Sequence, residues 1–117
     1  MKDLQKTLAL VVGAVLTLAG VVGFFMSGSL LMIFGINMLH NLVHLATGIL
    51  GVVAAMASNK AGRMYNQYLG MVYVVVGIVG FVAPKLMMQL LNINMADNFL
   101  HLALGFVLTG IGFGYKK

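Results

Sequence analysis

The stretch Asn94-Met95-Ala96-Asp97-Asn98-Phe99-Leu100-His101 stands at the head of an apolar run. It has a twin fifty-seven residues earlier, Asn37-Met38-Leu39-His40-Asn41-Leu42-Val43-His44. Both Asn, the Met and the final His agree in register. The agreement extends without a gap, residues 13–48 aligning on 70–105 with identities that include Gly13, Gly20, Gly23, Ile36, Asn37, Met38, Asn41, His44 and Gly48. Shared apolar composition explains some of these matches but not the polar ones. The spacing implies a duplication, with repeat one over about 7–58 and repeat two over about 64–115 of a single domain spanning 1–117.

Around these motifs the chain is 62% hydrophobic and 8% charged, with a mean hydropathy of +1.05, far from the balance of a soluble globule. An integral membrane protein is the expectation. The charges border four apolar runs, at about 7–26, 42–58, 65–83 and 99–115, each close to the ~20 residues that cross a ~30 Å hydrocarbon core. The first run is long for a signal core and pairs with 70–81, so it reads as a retained span. The only proline, Pro84, is expected to end the third run. Asn41 and Asn98 are expected as N-caps, because a short amide side chain can accept from the free N–H groups of a first turn. Residues 29–34 and 85–91 are too short to span and are expected at the interface, and 58–63 as a polar turn.

The expected fold class is all-α: a transmembrane four-helix bundle of two parallel two-helix repeats, related by a pseudo-two-fold axis along the membrane normal. Four spans bring Lys2, Lys6, Lys60, Arg63, Lys116 and Lys117 to one face and leave Lys85 on the other. The positive-inside rule then places both termini on the cytoplasmic side of the cell membrane. Tyr65, Tyr68 and Tyr115 would form an aromatic belt on that side. Gly13 with Gly20, Gly70 with Gly77, Gly51 with Ala55 and Gly110 with Gly114 form small-residue stripes, which let helices pack closely where no hydrophobic effect drives them together.

Composition also excludes chemistry. With no Cys there is no disulfide or thiolate ligand, and the basic residues are too scattered for a nucleic-acid surface. Two carboxylates, no Ser-His-Asp set and no phosphate loop give no basis for an enzyme, and no mid-span charge marks a pump. What remains is His44 and His101, polar groups about a turn inside the membrane. With Asn41, Asp97 and Asn98 they are expected to form a cluster that fastens the two repeats by hydrogen bonds. A metal set is the second reading, because His40 and His44 share a helical face if the helix starts early enough. Adding His101 and Asp97 gives three imidazoles and a carboxylate, suited to zinc or another divalent ion. Axial ligation of haem by His44 and His101 is a third reading. Copper(I) on the methionines at the same end (Met26, Met32, Met38, Met87, Met88 and Met95) is a fourth.

Three elements together, Asn41-x-x-His44-Leu45-x-x-Gly48, Tyr68-Leu69-Gly70-x-x-Tyr73-x-x-x-Gly77 and Ala96-Asp97-Asn98-x-Leu100-His101-Leu102-x-x-Gly105, resemble the domain of unknown function 4383 family over about residues 7–115. Its members are small bacterial four-span membrane proteins. The resemblance implies the same topology and, the family having no established activity, nothing about function. The expected role is a structural or accessory subunit, homo-oligomeric or within a larger membrane assembly, with lipid and other membrane chains as partners and no cofactor. The alternative is a metal- or haem-binding membrane protein using the paired histidines.

Overall fold

A backbone removed from water must satisfy its N–H and C=O groups internally, so long uncharged apolar runs become helices. The structure, a computed structural model, describes residues 3–115. Helices α1 (Leu4–Gly23), α2 (Met38–Ala57), α3 (Asn59–Val82) and α5 (Met95–Gly114) are each long and apolar enough to cross a membrane. Between α1 and α2 lies a hairpin of β1 (Ser29–Leu30) and β2 (Phe34–Gly35), and α4 (Pro84–Leu91) joins α3 to α5. The helical bundle is as expected. Its boundaries are not.

Helices α2 and α5 both begin a turn earlier than the expected caps Asn41 and Asn98. Asn37 and Asn94 come first, in extended backbone, and their side chains accept from the amides of His40 at 2.8 Å and Asp97 at 3.0 Å. At α5 the Asp97 carboxylate also accepts from the Asn94 amide, closing a capping box. His40, expected ahead of the cap, is therefore inside the first turn of α2.

The polar turn at 58–63 shrinks to Ser58, whose hydroxyl accepts from Ala61 N and starts α3 at once. The segment at 29–34 forms most of the hairpin rather than a flat interfacial stretch, and Pro84 stops α3 while opening α4 at its N1 position.

Helix α1 packs on α2 and α3 packs on α5, and the two seams make matching contacts fifty-seven residues apart. Gly48 lies against Thr17 N and Gly13 O; Gly105 lies against Val74 N and Gly70 O. At Gly13 an added methyl would stand 2.6 Å from Val52 N, so only glycine permits that approach. Gly20, Gly51, Gly70 and Gly77 are similarly enclosed, whereas Gly110, expected in a seam, faces open space.

Ala9, Val12, Leu16, Ala55, Tyr65, Leu69, Tyr73 and Leu108 fill the core between the seams. Tyr65 thus belongs to the core and not to an interfacial belt; its hydroxyl donates to Thr47 O at 2.9 Å. The end holding Asp3 and Tyr115 is closed by Gln5, fully buried, which donates to Ile111 O at 2.7 Å and Tyr115 O at 2.9 Å. Asn66 donates back to Gln5 O and Oε1. Lys2, Lys116 and Lys117, which carry much of the expected charge bias, lie outside the described residues.

Candidate metal centre

At the opposite end, near the hairpin, the first turns of α2 and α5 direct their histidines toward one another. The early start of α2 puts His40 one turn above His44 on the same face, and α5 brings His101 beside them. A ring nitrogen from each of the three lies within 4.8 Å of the other two. The His40 ring centroid is 4.3 Å from that of His44 and 5.9 Å from that of His101. His40 and His101 are buried and His44 is half-buried. All three Nδ1 atoms are enclosed without a hydrogen-bond partner. An unpartnered buried polar atom costs about 1–3 kcal/mol, so three of them in one place is a costly arrangement unless something else engages them.

The surroundings hold the rings in position. Backbone carbonyls of Gly35 and Leu91 lie against His40, and the Tyr73 ring stacks on His101 at 5.4 Å and 17°. The Tyr73 hydroxyl lies near Thr47 but makes no hydrogen bond of acceptable geometry.

Of the four residues expected as metal ligands, the structure groups three. Asp97 is outside the group: its Oδ2 accepts from Gly35 N and Asn94 N, both at 2.9 Å. It remains close enough to His40 for the two to interact electrostatically. Asn41 and Asn98, expected as caps, are buried with their Oδ1 atoms unpartnered and pressed toward Gly23 and Gly80, while Asn98 Nδ2 donates to Met95 Sδ at 3.9 Å. Of the methionines considered for copper, Met87 is buried, while Met26, Met32, Met38, Met88 and Met95 are exposed and spread over the surface.

The hydrogen bonds that fasten this end come from other residues besides Asp97. Asn37 Nδ2 donates to Leu90 O at 3.1 Å and Asn94 Nδ2 to Ile33 O at 2.9 Å, the first reaching α4 and the second the hairpin turn. Donors and acceptors are both fifty-seven residues apart. Asn92, in the left-handed region at φ 52°, adds bonds to Gly28 O and Ile36 O. The legible signal was the twin Ile36-Asn37-Met38 and Ile93-Asn94-Met95.

Four helices fit to cross a bilayer and a histidine triad at one end define the class: a small helical membrane protein with a polar site set into its apolar bundle. The family model described as Domain of unknown function (DUF4383) matches residues 6–114, and the chain belongs to that family. No curated protein and no solved structure matches it.

Proposed function

We propose that this is a metal-binding membrane protein that holds one first-row transition ion, Zn2+ foremost, on His40, His44 and His101. The observation that carries the reading is the convergence of three ring nitrogens within 4.8 Å in a place where no protein group partners their Nδ1 atoms. Neutral imidazole suits zinc, copper, iron and nickel, and a three-His set leaves a fourth position for water or another ligand. Tetrahedral ligands at about 2.0 Å from the metal stand roughly 3.3 Å apart, so the three nitrogens, which lie within 4.8 Å of one another, draw together on binding one. Asp97, near His40 and already hydrogen-bonded, offsets part of the ion's charge without ligating it.

Haem is a poorer match, because the His40 ring packs on both His44 and His101 where a macrocycle would need room. The accessory-subunit role keeps one support: Gly110 and Gly114 stand four apart on α5 with open space above them, where a helix of another chain can approach. The two readings do not exclude each other. Loading the purified protein with Co2+ separates them. The metal reading predicts visible bands of tetrahedral nitrogen-ligated cobalt that vanish in His44→Asn/His101→Asn; a spectrum identical to free Co2+ would refute it, whatever the oligomeric state.

A further inference from the structure

Helices α2 and α3 meet at Ser58, and beside that junction an apolar groove of about 420 Å³ opens between them. Ala54 of α2 and Ala61 of α3 line the end nearest the junction, where their short side chains leave the space. Leu50 and Val72 line the far end, and the exposed Met64 and Tyr68 form a rim. From Ala61 to Val72 is eleven residues, ~17 Å of helix at ~1.5 Å per residue and close to half of a ~30 Å hydrocarbon core. The groove is as long as one leaflet is deep.

Its mouth is basic. Lys60 stands next to Ala61 and one turn before Met64, so Lys60, Met64 and Tyr68 form one ridge at four-residue spacing that runs from the mouth along the rim. Lys60 is exposed and makes no ion pair among the described residues. Ser58, also exposed, accepts from Ala61 N through its oxygen and keeps its hydroxyl proton to donate. Lys6 is held at the same end, its backbone amide donating to Asn59 Oδ1 at 3.0 Å. Of the two carboxylates in the chain, Asp3 precedes α1 at this end and Asp97 lies at the other.

We infer that the groove and its mouth bind one acidic phospholipid of the phosphatidylglycerol type, with an acyl chain between α2 and α3 and the phosphodiester on Lys60 and Ser58. Walls this apolar ask only for hydrocarbon, so the mouth makes the choice among lipids. A zwitterionic head brings an ammonium group that a basic end repels. An anionic head brings only the charge that Lys60 and Lys6 complement. The site lies at the end away from the histidines and shares no residue with them, so it does not rest on the metal reading.

The test uses the full-length protein, delipidated in mild detergent, and native mass spectrometry with dioleoyl phosphatidylglycerol and dioleoyl phosphatidylethanolamine added at equal concentration. Identical acyl chains leave the head as the only difference. The expected result is one retained phosphatidylglycerol per chain, preferred about fivefold or more, roughly the factor that one basic residue supplies near a membrane surface. Lys60→Gln should reduce that preference to within about twofold while either lipid is still retained. Ala54→Phe fills the groove from α2 and should cut retention of both lipids at least about tenfold, with thermal unfolding read alongside to show that the bundle is intact. If Ala54→Phe does not fold, Ala61→Phe fills the groove from α3. Equal retention of the two lipids by the wild type would make the groove a plain acyl-chain slot and overturn the inference. A preference unchanged in Lys60→Gln, or retention that survives a folded groove-filling variant, would overturn it too.

Discussion

The starts of α2 and α5 are built on one frame. Asn37 matches Asn94 as cap, Asn41 matches Asn98 against a glycine, and His44 matches His101. They differ at the third helical position, where α2 has His40 and α5 has Asp97. The carboxylate closes the capping box and takes the Gly35 amide, so it acts on structure. The imidazole does neither, and joins the other two histidines. One polar difference in a matched frame thus separates the helix start that latches from the start that places a third imidazole.

Making the two starts alike should have the largest effect. In the proposed site His40→Asp removes one of three imidazoles and should lower metal affinity by more than the ~100-fold that loss of an outer-shell partner costs, as read by competition with a chromophoric chelator. An unchanged affinity would mean that His40 is not a ligand and that the difference between the starts is only structural.

The seams offer a second contrast. Gly20 faces the backbone of Asn41 and Leu45, while its counterpart Gly77 meets mainly the Leu102 side chain. A side chain can move aside and a helix backbone cannot. Gly20→Ala should cost ~1–3 kcal/mol of stability and Gly77→Ala less, measured by thermal unfolding in detergent.

The two caps should be closer to equal. Asn37→Ala loses a cap and the bond to α4, and Asn94→Ala a cap and the bond to the hairpin turn, each pair worth about 1–2 kcal/mol. The other half of the capping box, Asp97 Oδ2 accepting from the backbone N–H of residue 94, survives Asn94→Ala, so a difference between the two variants above ~1 kcal/mol in the same unfolding measurement would mean that the two caps are not equivalent. The smallest effect belongs to Gly110, which faces open space. Gly110→Ala should leave stability unchanged or raise it by up to ~1 kcal/mol through helix propensity, unless another chain packs there.

The four spans were legible because hydropathy over twenty residues is a strong signal. The site was half legible. His40 and His44 are spaced to share a face, but that depended on whether Asn37 or Asn41 caps the helix, and both are competent caps. Only the structure shows that the first of them stops the extended chain. The Gln5 and Asn66 network was missed because a lone amide in an apolar run carries no sign of its partner. The hairpin was missed because its turn uses Leu31 and Met32, not the glycine or asparagine that normally mark positive φ.

The most direct measurement is the elemental metal content of protein purified in mild detergent without chelator, beside the same protein stripped and reloaded with Zn2+. The account predicts about one ion per chain in the wild type, as a three-His site holds, and background levels when His40, His44 and His101 are replaced together by Ala. Background metal in the wild type both as purified and after reloading would contradict it, and would leave the three histidines as buried side chains without a metal to hold.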